Sequence, residues 1–343
     1  MLITLASQNK FKAFVQTGDI HIGESRNCIG YLERHKDVLW QIIDYCEKSK
    51  LPLLVSGDLF HRNDTKHEER KLAYDFISEI EKRKIYTVIS AGNHDHIDGE
   101  KTQLDALYNI PLKYVKIVGW KPEVIKIGNI GIIAMSWQDY DTKQVFDEVT
   151  KLYPYISDCE YKVVMMHEFI WGSAMDNGRI IHRGLKLPTD MPQIDYWALG
   201  DIHTFQPGNL PNSWYAGAPI QFKFDCKREK GFAKVKLPFT DKPEFIKTIF
   251  KPFITVSSMD QMTEDAYYCL EGNAQDIVNA QNDSRIIRSN WVKDVGQALD
   301  DLSNGFSVVH GLTEFLANKN INSDWQTKAI EFVNKVASKS VKA

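Results

Sequence analysis

Short apolar runs, most of them closed by glycine, recur through the first two thirds of the chain: FKAFVQTGD, LPLLVSGD, KIYTVISAGNHD, EVIKIGNIGIIAMSW, YKVVMMH, IDYWALGD and SWYAGAP. They read as buried strands. Between the early ones the period shifts to that of a helix. His35, Leu39, Ile42, Ile43 and Cys46 share one face of residues 31–49, and Leu72, Ala73, Phe76, Ile77 and Ile80 share one face of 66–83. Strand, helix and strand in alternation predict an α/β core with a parallel sheet. From Glu123 to Leu237 strands dominate, with one amphipathic helix at 143–152 built on Val145, Phe146 and Val149, so a second sheet is expected to pack on the first. The fold class is α/β, a layered β-sandwich flanked by helices.

Around Pro238 to Pro252 prolines cluster, and Thr255 to Gln297 is polar with short apolar pieces, the pattern of a small separate domain. Helical spacing returns at the end, with Leu312, Phe315 and Leu316 on one piece and Trp325, Ile330, Val333 and Val336 on another, split by KNINSD. The expected divisions are 1–240, 241–300 and 301–343.

Composition changes little. In 343 residues, 43% hydrophobic and 25% charged residues are ordinary globular values, which exclude disorder, collagen and coiled-coil rods. A net charge of -3 neither supports nor forbids a nucleic-acid partner, because that footprint is a local basic face rather than a total. The cysteines (Cys28, Cys46, Cys159, Cys226, Cys269) never form a C-x-x-C pair and read as reduced thiols. Apolar runs such as Leu51 to Val55 and Ile130 to Met135 fall far short of the ~20 residues of a membrane span. MLITLASQNK carries no signal-peptide pattern, so a cytoplasmic protein with no membrane association is expected.

The chemistry lies at the ends of the apolar runs. Asp19 and His21 follow FKAFVQTG, Asp58 follows LPLLVSG, Asn93, His94 and Asp95 follow KIYTVISAG, His167 closes YKVVMMH, and Asp201 and His203 follow YWALG. In open α/β sheets ligands bind beyond the carboxyl ends of the strands, so these scattered sets are expected to converge. Carboxylates, imidazoles and an amide oxygen without thiolate suit Mn, Fe, Zn or Mg. The set is too large for one tetrahedral ion. Two metals about 3.5–4 Å apart, bridged by a carboxylate, fit the count and suit phosphate ester hydrolysis.

In this order and spacing, D-x-H, G-D, G-N-H-D, H and G-x-x-H resemble the calcineurin-like metallophosphoesterase superfamily. GDIHIG, SGDLFHRND, AGNHDH, VVMMHEF, ALGDIH and YAGAPIQFKF…KGF are similar to the SbcD-type nuclease subunits of DNA double-strand-break repair and their bacteriophage recombination relatives, over residues 12–237 and in outline beyond. The resemblance implies the metallophosphoesterase fold in 1–240, a small capping, DNA-recognition domain in 241–300, and helices in 301–343 that dock on an SbcC-type ABC ATPase. It also implies a homodimer within a heterotetramer, DNA as substrate, and the host cytoplasm as location if the chain comes from a bacteriophage. Two divalent ions are implied, Mn²⁺ ahead of Mg²⁺. Asp19, His21 and His203 would hold one, Asn93, His167 and Asp201 the other, and Asp58 would bridge them. His94 would stabilise the transition state or protonate the leaving oxygen, with Asp95 orienting its ring, and His61 would position the scissile nucleotide.

One position departs from the family pattern. Where G-H-x-H is usual, Gly200-Asp201-Ile202-His203 places a carboxylate, which is expected to alter metal preference rather than abolish activity. The expected activity is that of a metal-dependent DNA exo- or endonuclease. The rivals are a phosphoesterase acting on a small nucleotide or phosphomonoester, and a weakly catalytic scaffold for DNA and the ATPase.

Blander readings cover the remaining features. Any single G-D after a strand can be a capped turn; it is the ordered set that carries weight. His96 reads as a loop residue, and His35, His67, His182 and His310 as ordinary helix, loop or surface histidines. The basic run from Phe222 to Lys236 reads first as a solvated strand edge. Beside a phosphodiesterase site, Lys223, Lys227 and Arg228, with Arg62 and Lys66 after His61, become candidate contacts to a nucleic-acid backbone. The C-terminal helices could equally close the protein's own core, and the resemblance favours docking.

Overall fold

The computed structural model describes residues 2–291 other than 7, 27, 108–110, 140, 176–177, 187–190, 227, 264, 273–278 and 280–282; Lys227 and the 301–343 segment therefore lie outside the described residues. In chain order the elements are β1 (Leu2–Ala6), β2 (Ala13–Thr17), α1 (Tyr31–Ser49), β3 (Leu53–Ser56), α2 (His67–Lys82), β4 (Thr87–Ser90), β5 (His96–Asp98), β6 (Lys101–Thr102) and β7 (Val115–Val118). Then follow β8 (Glu123–Ile127), β9 (Ile130–Ala134), α3 (Thr142–Leu152), β10 (Tyr161–His167), β11 (Tyr196–Gly200), β12 (Gln206–Pro207), β13 (Ser213–Tyr215), β14 (Gly231–Lys236) and β15 (Glu244–Lys247). The three helices expected from the 3.6-residue period between residues 31 and 152 are present, at 31–49, 67–82 and 142–152.

A six-stranded sheet runs β15-β14-β2-β3-β4-β7, and a seven-stranded sheet runs β1-β8-β9-β10-β11-β13-β12. Strands β2, β3, β4 and β7 are mutually parallel, as are β9, β10, β11 and β13. Alternation along each strand sorts side chains into layers. From β2, β3 and β4, Phe14, Leu54 and Val88 point into the interior shared with Val163, Met165, Tyr196 and Ala198 of the other sheet. Val15, Leu53, Val55 and Ile89 face the opposite way and meet Leu39, Ile42, Phe76 and Ile80 of α1 and α2. On the seven-stranded sheet, Val164, Met166, Trp197 and Leu199 face outward onto Val145, Phe146 and Val149 of α3. The result is the expected helix-flanked β-sandwich.

Polar ties cross the dry interior. Gln16, fully buried on β2, donates to the Leu199 and Trp214 carbonyls, each at 3.1 Å, and accepts from the Tyr196 hydroxyl at 2.8 Å. A buried amide is tolerated only when so satisfied.

The chain divides into two compact units. The first comprises Met1–Ile254 and Glu264–Tyr267, and the second Thr255–Thr263 and the chain from Tyr268 onward. Within the second, Tyr268 to Gly272 runs parallel to the strand Ile286–Trp291. No described helix is long and apolar enough to cross a membrane.

Candidate metal centre

Every candidate donor sits at the carboxyl end of β2, β3, β4, β10 or β11 or in the first few residues beyond it. Because these strands are parallel within each sheet, their ends open on one edge, and the loops that follow bring the donors together. Asp19, His21, Asp58 and Asp201 hold positive φ values of 49°, 50°, 55° and 92°, turning the chain sharply just past each strand. Two glycines are obligatory for steric reasons. A methyl at Gly57 would overlap the His167 ring, and one at Gly92 would overlap the Asp58 carboxylate.

Asp58 lies at the middle. Its Oδ2 is 3.4 Å from His21 Nε2 and 3.3 Å from His167 Nε2, while Oδ1 accepts the His94 amide at 2.9 Å. On one side His21 Nε2 approaches His203 Nε2 at 3.1 Å, and Asp19 Oδ1 lies 3.8 Å from the same His203 nitrogen. On the other, His167 Nε2 lies 3.1 Å from Asn93 Oδ1 and 3.8 Å from Asp201 Oδ1. All seven expected donors are thus assembled.

The donors fit cations. His167 Nδ1 donates to the Ser56 carbonyl at 2.8 Å, which in the neutral ring leaves the Nε2 lone pair facing three oxygens. Asp19 Oδ2 is buried without a hydrogen-bond partner. Lone pairs converging in a dry site repel unless a positive charge sits among them. The titration equilibria express the same demand. Burial pushes Asp19 up to about 8 and Asp201 up to about 6. Burial opposes protonation of His167, yet Asp58, Asp201 and Asp19 hold its pKa well above the usual value. Burial likewise opposes ionisation of Asp58, but His167 and His21 hold its carboxyl well below the carboxylate range. Burial keeps His21 neutral, its pKa well below that of free imidazole.

A second group of imidazoles borders the donors. His94 Nδ1 donates to the His61 carbonyl at 2.7 Å, its ring meets that of His21 edge-on with centroids 4.8 Å apart, and it stacks on His61 at 5.3 Å. Asp95, expected from the resemblance to orient His94, has a different task in the structure. Its carboxylate is fully buried and accepts the amides of Leu59, Phe60 and Gly92, at 3.2, 2.8 and 2.9 Å. It pins the Asp58 and Asn93 loops to each other, and the His61 carbonyl orients His94 instead.

A cavity of about 390 Å³ opens on the centre, lined by His21, His61, His94, Asp201 and His203 together with Glu24, Phe169, Phe222, Lys223 and Lys230 among others. Of the candidate nucleic-acid contacts, Lys223 lines it, whereas Arg62, Lys66 and Arg228 are exposed outside its lining. Several participants carry no signal in the sequence. Glu24 pairs with His61 Nε2 at 2.5 Å. Lys230, which the sequence places in a solvated basic run, is 3% exposed and donates to the His203 carbonyl at 2.6 Å. His35, in sequence an ordinary helix histidine, is buried with Nε2 3.1 Å from the His21 carbonyl. Phe222 packs edge-on against His21 and His203. Each role depends on a tertiary contact that no local pattern announces.

The calcineurin-like phosphoesterase family pattern matches residues 12–205, a span that contains all seven donors. The chain belongs to this family. The family's name is that of a phosphoesterase, and its use of divalent metals agrees with the donor set. Among curated proteins it is similar to the SbcD subunit of the SbcCD nuclease from Escherichia coli K12 and to its counterpart in Escherichia coli O157:H7. Each is 23% identical over 250 residues, 63% of this chain and 62% of the relative. The matched region thus spans less than two thirds of those relatives. A solved structure aligns over 68% of this chain and 98% of its own at 12% identity with a TM-score of 0.40.

Proposed function

We propose that this phosphoesterase is a DNA nuclease whose two divalent ions, Mn²⁺ ahead of Mg²⁺, are held by Asp19, His21 and His203 and by Asn93, His167 and Asp201, with Asp58 shared. The supporting observation is the position of Asp58 Oδ2, nearly equidistant at 3.4 and 3.3 Å from the facing nitrogens of His21 and His167. Bound there, such ions neutralise phosphate charge and lower the pKa of water. The chain's own groups do the rest. His94, with Nδ1 committed to the His61 carbonyl, has Nε2 available to protonate the leaving oxygen. His61, held by Glu24, borders the cavity where the scissile nucleotide would lie. Lys223 supplies positive charge at its wall, with Arg62, Lys66, Lys227 and Arg228 as further backbone contacts.

The name of the curated relatives, a nuclease subunit, supports reading this chain as a subunit too. In that reading 1–240 is the nuclease domain, 241–300 caps it and recognises DNA, and 301–343 docks on an SbcC-type ABC ATPase in a heterotetramer built on a homodimer. The test is cleavage of end-labelled linear duplex and single-stranded DNA in Mn²⁺ and in Mg²⁺, with Asp19→Ala as control. Mn²⁺-dependent cutting abolished in the control is expected. Hydrolysis of p-nitrophenyl phosphate without DNA cleavage would replace this reading with a small-substrate phosphoesterase. A silent wild type that Asp201→His activates would replace it with a scaffold.

A further inference from the structure

The segment that follows His167 folds back on itself beside the cavity. Trp171 and Gly172 donate their amides to the Leu185 and Ile181 carbonyls at 2.9 and 2.8 Å, and Leu185 and Ile181 return amides to Phe169 and Ser173, both at 2.8 Å. Bridges Ile170↔Leu185 and Ala174↔Ile180 complete the ladder, and Asn209 donates to the Trp171 carbonyl at 2.8 Å. The backbone of this shelf is therefore preorganised. Ile170, Ile181 and Leu185 anchor it in the core under α3, which fixes the outward direction of the intervening side chains.

What it presents outward is unusual for a structural loop. Trp171 is 38% exposed with the Lys186 ammonium 4.8 Å from its ring centre and His182 edge-on at 5.9 Å. Phe169 lines the cavity, and the Arg183 guanidinium sits 5.2 Å from its ring centre. Met175, also 38% exposed, lines the same cavity. A single exposed tryptophan needs no explanation. Two ring–cation pairs on one hydrogen-bonded strip, of which Phe169 and Met175 line the cavity at the metal centre, do, because aromatic faces hold unstacked bases while neighbouring cations follow the phosphates.

We propose that Phe169, Trp171, Arg183 and Lys186 form a stacking shelf for unpaired nucleotides of a DNA strand entering the metal centre. This rests on the nuclease reading and deepens it: the substrate taken up is a strand whose bases are free, whether single-stranded or frayed from a duplex end. Inside an intact duplex the bases stack on one another and offer the shelf no face.

The test is binding of the full-length chain to a phosphorothioate oligothymidylate, to an abasic strand of equal length, and to a blunt duplex. Wild type is expected to prefer the oligothymidylate over both others. Trp171→Ala is expected to weaken that binding roughly tenfold and to erase the preference over the abasic strand, while Trp171→Phe keeps it. Tyr74→Ala, which removes an exposed aromatic on α2, is the matched control and leaves binding unchanged. Unchanged affinity and preference in Trp171→Ala overturn the shelf while leaving the nuclease reading intact. Strand binding that survives the substitution, together with burial of Trp171 when a protein partner is added, reassigns the surface to that partner. A wild type that neither binds nor cleaves any DNA overturns both readings.

Discussion

Asp19, His21, Asp58 and Asp201 all occupy left-handed backbone conformations, which cost roughly 1–3 kcal/mol each for residues with a Cβ. Surrounding structure must impose them, and it does: the Asp95 carboxylate gathers three loop amides, His35 meets the His21 carbonyl, and Lys230 holds that of His203. The donors themselves are legible in the sequence because each follows an apolar run by a fixed few residues. Their supports are not, since Lys230 is indistinguishable in composition from its exposed neighbours, and Asp95 adjoins His94 in sequence while bonding to backbone elsewhere. The roles separate experimentally. His94→Gln is expected to lower kcat by roughly 10²–10⁴-fold while metal content, read by elemental analysis, stays at the wild-type level. Lys230→Met is expected to lower metal affinity, because the His203 loop loses its anchor, and a metal titration followed by calorimetry checks this. Wild-type affinity in Lys230→Met would make the lysine a packing residue only.

At the level of elements, period decides what can be read. The helices fall within a residue or so of their expected bounds because their apolar stripes are continuous, with α3 further marked by Asp141, whose carboxylate accepts the Gln144 amide at 2.9 Å while Gln144 reaches back. Strands β1 and β7 have no such signature: both lie at sheet edges, where Leu2–Ala6 alternates weakly and Val115–Val118 carries Lys116 inside the run. Removing the cap should be a local event. Asp141→Ala is expected to cost about 1 kcal/mol of stability, measured as a shift in denaturant midpoint, with phosphoesterase activity unaffected. Gly57→Ala is the opposite case. Its added methyl meets the His167 ring, so both stability and metal content are expected to fall.

Across the whole molecule, the centre joins the two sheets. Asp19, His21, Asp58 and Asn93 come from strands of the six-stranded sheet, and His167, Asp201 and His203 from those of the seven-stranded one. Each proposed set of three donors draws on both. Ions there would clamp the sandwich at its open edge, in line with the Gln16 tie deeper in. Mn²⁺ at a hundred times its dissociation constant is therefore expected to stabilise the fold by about 2.7 kcal/mol for each site it fills, seen as a rise in melting temperature that chelator reverses and Asp58→Ala lacks. The layered architecture is foreseeable from alternating strands and helices. The convergence of the donors is expected from their places just past the ends of strands, whereas their division between two sheets follows only from how those sheets pack.

The most direct test of the proposal that two ions share Asp58 is electron paramagnetic resonance during titration of the metal-free protein with Mn²⁺. Two ions sharing a carboxylate give two equivalents bound per chain and the broadened, temperature-dependent signal of an exchange-coupled pair, lost in Asp58→Ala. A single equivalent with the sharp lines of an isolated ion, or a coupled pair that persists without Asp58, would contradict the account.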